Sequence, residues 1–216
     1  MIGKRQRKDD RYGGFSTVGK VFSNAKRLEI LDVLIQRPHS VDELARNLEQ
    51  STASTSQHLQ VLKRAKVVVT KRTGTTIIYS LAEGTLEVFV ALRTLAENIS
   101  SDLQLLQQQS DIPTVTFDYV QHILKHSSAI LLDVRTETEF AHRHMNGAIN
   151  IPLSDLLERS IELSTSKPII ITCRGPYCLS SNEAVHLLKN KGFQVSRYDD
   201  GVGEWLVQGG GLCGLL

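Results

Sequence analysis

The sequence predicts two domains of different class: a mostly helical α+β domain over residues 14–110, then an α/β domain with a parallel sheet over residues 112–210. Three observations predict this. At 216 residues the chain has room for two domains near the usual size of roughly 100–150 residues. Apolar residues recur at three- and four-residue steps in the first half, whereas the second half alternates short β-branched runs with helical patterns. The charge also changes sign: residues 1–100 carry 16 Lys and Arg against 10 Asp and Glu, and residues 101–216 carry 9 against 13. A basic half joined to an acidic half suggests that only the first meets a polyanion.

Composition excludes several classes. Hydrophobic content is 41 %, ordinary for a globular protein, and no window approaches the roughly 18 apolar residues of a membrane span. The N-terminal "MIGKRQRKDDRYGG" is basic but has no apolar stretch, so no secretion signal is expected, and the cytoplasm is the expected compartment. There are three cysteines, an odd number, all in the last fifth of the chain. That argues against a disulfide framework and for a reactive or regulatory thiol.

In the first half, "VGKVFSNAKRLEILDVLIQRP" reads as a helix on Val18, Val21, Phe22, Leu28, Leu31, Leu34 and Ile35, stopped by Pro38. Ser40 caps a short helix, "VDELARNL", and Glu43 completes a capping box. After the polar break "EQS", a further helix carries Thr55, Leu59 and Leu62 as its apolar stripe. Two short helices joined by such a break form a helix-turn-helix. The runs "VVVTKR" and "TIIYSL" around Gly74 read as a hairpin with Lys71 and Arg72 near its tip, a basic wing suited to phosphate or minor-groove contact. Thr52, Ser54, Ser56 and Gln57 on the second helix offer hydroxyls and an amide able to read base edges in a major groove. Any helix has a polar outer face; it is the order helix, turn, helix, basic wing that points to double-stranded DNA.

This order of elements, with "STASTSQHLQVLKRAKVV" from Ser51 onward, resembles the ArsR-type winged-helix transcriptional repressors. The resemblance implies a homodimer on a palindromic operator, held together by the first and last helices of the domain. The last helix is expected from Glu83 to about Gln109, with Leu86, Phe89, Val90, Leu92, Leu95, Ile99, Leu103 and Leu106 on an apolar stripe long enough to need a partner. Many repressors of this type sense metals through a cysteine motif on the helix before the recognition helix, or through His and carboxylate pairs on the last helix. Here "VDELARN" has no cysteine, the last helix no histidine, and the whole half no cysteine. No metal and no cofactor is expected, and cysteine-pair persulfide sensing within this half is excluded by the same absence. Any signal must enter elsewhere.

In the second half, "AILLDV", "GAINIP", "PIIIT" and "QVSRY" read as strands. They alternate with helices over "TETEFAHRH", "LSDLLERSIEL", "LSSNEAVHLLKNKG" and "GVGEWLVQG". Such alternation gives a parallel sheet covered on both faces, with ligands bound beyond the carboxyl ends of its strands. Cys173 stands there, after "PIIIT" and before a helix. Backbone N–H groups of the following loop and the positive end of the helix stabilise a thiolate at that place.

"LLDVRTETEFAHRHMNGAINIPL", then "CRGPYC", then "DDGVGEW" resemble a single rhodanese (sulfurtransferase) domain. The resemblance makes Cys173 the catalytic cysteine that accepts sulfane sulfur as a persulfide, cradled by Arg174, Gly175, Pro176, Tyr177 and Cys178. Arg135, Glu139, Asp133 and Trp205 take the structural reading, as supports of the fold. Active rhodaneses usually end this loop with a cation, and here Cys178 stands instead. That weakens thiosulfate as substrate and leaves two readings of Cys178, a thiol that resolves the persulfide into a disulfide or a residue that only begins the next helix and packs. Cys213, in the Gly-rich tail, reads as incidental.

Three functions compete. The chain is a DNA-binding regulator whose second domain senses or transfers sulfane sulfur, from a small donor or to a thiol acceptor. Alternatively it is a sulfurtransferase with an accessory DNA-binding domain, or a regulator whose second domain has lost chemistry and binds partners. The intact Cys173 argues against the last, the missing loop cation against a fast thiosulfate enzyme, and the first is expected, with some sulfurtransferase activity.

Overall fold

The computed structural model describes residues 3–103 and 112–214. Contacts divide the chain into two compact units, Met1–Phe89 and Val90–Leu216. The division falls inside a helix, earlier in the chain than the expected boundary near residue 112.

In the first unit, α1 (Lys4–Val21) and α2 (Ala25–Gln36) are separate helices where one was expected. The break has a local cause: the Asn24 side chain accepts a hydrogen bond from the Arg27 N–H and starts a new helix. Of α1 only Val21 is buried, and Tyr12 and Phe15 are exposed. Short β1 (His39–Ser40) leads into α3 (Val41–Asn47), where Ser40 and Glu43 form the expected capping box. A cap of this kind stabilises a helix by about 1 kcal/mol. Helix α4 (Thr52–Arg64) buries Thr55, Leu59 and Leu62, the expected stripe. The wing is β2 (Val68–Thr73) and β3 (Thr76–Leu81), antiparallel, with Thr73 opposite Thr76 across the turn. The sheet order is β1-β3-β2. Ile30, Leu31, Leu34 and Ile35 of α2 are buried together with Leu44, Leu59, Leu62 and Val68.

Helix α5 (Thr85–Ile99) ends earlier than expected, broken at Ser100, with helical backbone again over residues 101–103. The expected stripe residue Leu106, and Gln109, lie outside the described residues.

The second unit holds a five-stranded parallel sheet in the order β4-β9-β8-β5-β7. Its strands are β4 (Thr114–Val115), β5 (Ile130–Asp133), β7 (Ile149–Asn150), β8 (Ile169–Thr172) and β9 (Val195–Tyr198). Helices α6 (Phe117–His126), α7 (Glu137–His142), α8 (Leu153–Arg159), α9 (Leu179–Asn190) and α10 (Val202–Val207) connect them. Strand β4 and helix α6 were not anticipated. Nor was the antiparallel pair β6 (His144–Met145) with β10 (Leu212–Cys213), which ties the Gly-rich tail to the domain.

Side chains of a strand alternate between faces, and β8 shows what this does. Ile169, Ile171 and Cys173 enter one core with Leu132, Leu156, Ala184, Val185 and Leu188. Ile170 enters the other, with Val120, Ile123, Met145, Tyr198 and Trp205. The alternation therefore sends the Cys173 thiol into the core covered by α9 rather than out to solvent.

Candidate functional site

The residues expected to meet DNA lie on α4 and the wing. Thr52 and Gln57 are exposed on α4, while Ser54 and Ser56 are partly buried. The Thr52 hydroxyl lies 3.4 Å from a carboxylate oxygen of Asp42, and Lys63 and Arg64 add exposed cations to the last turn of α4. Lys71 and Arg72 are exposed on the wing, where the Arg72 Nε donates to the Gly74 carbonyl at 3.1 Å.

In the second unit, Cys173 follows β8, and its neighbours end at Asp133 of β5 and Tyr198 of β9. Two glycines make the loop possible. Gly175 has φ of +139°, where an L side chain is strained. A Cβ on Gly201 would overlap the carbonyl of Arg174, so the turn before α10 can approach the loop only as glycine. The Cys178 N–H donates to the Gly175 carbonyl at 3.1 Å and closes the loop, and Cys178 becomes the residue that precedes α9.

The two sulfurs are 2.7 Å apart. Cys173 is 2 % exposed, whereas Cys178 is partly exposed. Either thiol can donate to the other. The hydrogen bond from Cys173 holds the Cys178 thiol down to about 5, aided by the backbone N–H groups of Arg174 and Ser180 and by the Arg174 charge. The same hydrogen bond, with burial, pushes the Cys173 thiol well up. Both shifts favour negative charge on Cys178, the more accessible sulfur, over Cys173. A cavity of about 320 Å³ opens beside Cys178, lined among others by Tyr177, Asn182, Arg197 and Asp200.

Cations near the loop are matched by carboxylates. Arg174 donates twice to Glu139, from Nε and Nη2, each at 2.7 Å. Burial alone would raise the Glu139 carboxyl, but these bonds and the Arg174 charge hold it below its usual range. Glu139 was expected to support the fold only; it also fixes the second residue of the loop. Arg197 pairs with Asp199 and Asn182. Arg93 pairs with Glu204 at 2.7 Å, its guanidinium 3.7 Å from where a Cβ on Gly175 would lie. Arg93 and Glu97 gave no sequence signal, because nothing local marks a side chain that reaches a loop 80 residues away, as Glu97 does; Glu204 lies within the "DDGVGEW" stretch but was not singled out.

The structural readings of Asp133, Arg135 and Trp205 agree with their surroundings. Arg135 and Asp133 are 0 % and 2 % exposed and pair at 2.6 Å, and Arg135 Nη2 also donates to the Arg143 carbonyl. Trp205 packs on Phe117 and Tyr198 and donates its indole N–H to the Gly211 carbonyl. Cys213 is exposed, 2.8 Å from the Asn146 side-chain oxygen, on the β6–β10 pair and outside the loop that holds the other two thiols.

Comparison with known proteins agrees with both halves. Residues 24–69 match the bacterial regulatory proteins of the arsR family, and residues 116–208 match the rhodanese-like domain. The chain is 32 % identical over 213 residues to the HTH-type transcriptional regulator Rv0324 of Mycobacterium tuberculosis, covering 97 % of this chain and 94 % of that protein. Among solved structures, the homodimeric winged helix-turn-helix DNA-binding domain Mb0332 of Mycobacterium bovis is 30 % identical. The match spans 46 % of this chain and 94 % of that one, with a TM-score of 0.43. The rhodanese-like domain of Alr3790 from Anabaena is 28 % identical over 48 % of this chain and 80 % of that one, also with a TM-score of 0.43. A helix-turn-helix with a basic wing, a parallel sheet ending in a cysteine loop, and a relative matched over nearly its full length lead to one conclusion: the chain belongs to the ArsR family of DNA-binding transcriptional regulators and carries a C-terminal rhodanese-like domain.

Proposed function

We propose that this regulator senses sulfane sulfur through a persulfide on Cys173, that Cys178 resolves the persulfide, and that loading changes the affinity of a homodimer for a palindromic operator. The observation that carries the reading is the pair of thiols in contact, 2.7 Å apart, between the end of β8 and the start of α9. Thr52, Ser54, Ser56 and Gln57 read bases, and Lys71 and Arg72 contact phosphate. Exposed Tyr12 and Phe15 on α1 and Leu95 and Ile99 on α5 support dimerisation through the first and last helices, since exposed apolar surface of this kind marks interfaces.

The chemistry follows from the pair. Proton transfer from Cys173 to Cys178 along their hydrogen bond gives a Cys173 thiolate. That thiolate attacks one sulfur of a hydrogen polysulfide, here H–S–S–H. The S–S bond of the donor breaks, a Cys173–S–S–H persulfide forms, and hydrosulfide, HS⁻, leaves. Cys178 then returns its proton to solvent and attacks the inner sulfur of the persulfide. A Cys173–Cys178 disulfide forms and a second HS⁻ leaves, so the two electrons lost by the thiols reside in hydrosulfide. Arg174, Gly175, Pro176 and Tyr177 cradle the added sulfur with their backbone. The matched cations around the loop support an uncharged or singly charged donor over dianionic thiosulfate, and hence a sensor over a fast thiosulfate enzyme.

The test is operator affinity in two states. Duplexes selected from a random library by the reduced protein are titrated by fluorescence anisotropy before and after hydrogen polysulfide treatment. A tenfold or larger change is expected for the wild type and none for Cys173→Ser. Equal affinities of wild type in both states would overturn the reading.

A further inference from the structure

Within the second unit, the last three turns of α5 touch the thiol loop at two places. The Tyr177 hydroxyl donates to Glu97 Oε1 at 2.9 Å. One turn earlier, Arg93 pairs with Glu204 at 2.7 Å and lies 3.7 Å from an Asp200 oxygen. Glu204 in turn accepts the Gly201 N–H at 2.8 Å, at the glycine that abuts the Arg174 carbonyl. Arg93 and Glu97 face each other at 3.4 Å. The side chains of Arg93, Glu97 and Glu204 are 9 %, 18 % and 3 % exposed, so these are shielded charge pairs rather than surface ones. One helix thus grips both walls of the loop, Tyr177 on one side and the 200–204 turn on the other.

We propose that α5 is the output element of the thiol pair: Arg93 and Glu97 are positioning residues that hold the helix to the reduced loop, and closing Cys173 to Cys178 loosens the hold at Tyr177. Tyr177 precedes Cys178 directly, so the Tyr177–Glu97 bond is the helix contact nearest in the chain to the moving sulfur. Cys173 is fixed at the end of a central strand with both faces covered, whereas Cys178 sits in the loop ahead of α9. The loop residue therefore makes most of the movement when the sulfurs join. Packed elements answer such local shifts by switching between discrete arrangements. Helix α5 is uninterrupted from Thr85 to Ile99, and its first five residues belong to the first unit, so a change in its last turns reaches the DNA-binding half along covalent helix. This rests on the thiol pair of the proposed function but not on its DNA response.

The experiment is hydrogen–deuterium exchange of the full chain, read on peptides covering residues 90–99, with the pair reduced and with it closed. Closure uses hydrogen polysulfide and, independently, diamide, which takes the two protons and two electrons of the dithiol as its hydrazine. Mass spectrometry confirms the Cys173–Cys178 bond. In wild type, closure is expected to speed exchange of these amides at least fivefold. In Tyr177→Phe, which removes the donating hydroxyl, the reduced protein should already exchange at the faster rate, with little further change on closure and an unchanged melting temperature. Unchanged exchange on closure in wild type, a full wild-type response in Tyr177→Phe, or a pair that neither reagent closes would each overturn the proposal. Faster exchange without any change in operator affinity would leave the proposal standing and defeat the functional reading instead.

Discussion

The division of charge between the two thiols makes a prediction that can be worked in numbers. With Cys178 held to about 5, some 90 % of it is thiolate at pH 6. An unstructured cysteine peptide, with a pKa near 8.5, is then only about 0.3 % thiolate. The gain in thiolate is therefore about 300-fold. Nucleophilicity falls with pKa, with a Brønsted slope of about 0.45, so a difference of about 3.5 units costs roughly 40-fold. The net expectation is that Cys178 reacts with iodoacetamide about eightfold faster than the peptide at pH 6, equally fast near pH 7, and about 30-fold slower at pH 9. The sign follows from the lowered pKa: its thiolate is already complete above pH 6, while the peptide keeps gaining. Competition between protein and peptide, followed by mass spectrometry of digested fragments, gives the ratio at each pH. Cys173→Ala removes the S–H that donates to Cys178, the largest cause of the lowering, and should move the labelling midpoint up towards the ordinary thiol range. A Cys178 midpoint near pH 8.5 in wild type, or one that Cys173→Ala leaves in place, would refute the lowering by Cys173. Sequence alone favours Cys173 as the most reactive thiol, and the same labelling experiment compares it with Cys178 directly.

Two other predictions concern the supports. Asp133→Asn leaves the 0 % exposed Arg135 charge without its carboxylate and should destabilise the second unit by about 3–5 kcal/mol, read by urea unfolding through the fluorescence of Trp205, the single tryptophan. A loss under about 1 kcal/mol would remove that pair from the account, and an Asp133→Leu, Arg135→Met double variant should recover most of the stability. On the wing, Lys71→Ala should weaken binding to all duplexes alike and lower the slope of log affinity against log salt by about 0.9. A changed sequence preference with an unchanged slope would take Lys71 off the phosphate backbone.

Local signals carried much of the reading because they are complete within a few residues. Ser40 and Glu43 need only each other to start α3, and Thr55, Leu59 and Leu62 need only the helical period to share a face. The β-branched run ending at Thr172 places Cys173 at the carboxyl edge of a parallel sheet before any tertiary contact is known. The break between α1 and α2 was missed although Asn24 signals it, since the apolar repeat runs on through Val21 and Phe22 and masks the cap.

The sequence by itself determined the class of each half, the order of their elements and the loop that bears the thiols. Those follow from period, capping and turn chemistry, all short in range. Only the tertiary structure decided which side chains meet at that loop. Glu139 reaches Arg174 across 35 residues, Glu97 reaches Tyr177 across 80, and Arg93 reaches Glu204 across 111. Such meetings depend on how the sheet and helices stack, and no local pattern encodes them. The contact between Cys173 and Cys178 is of the same kind: the spacing of five permits it, but a loop bent at Gly175 and closed by the Cys178 N–H brings the two sulfurs together.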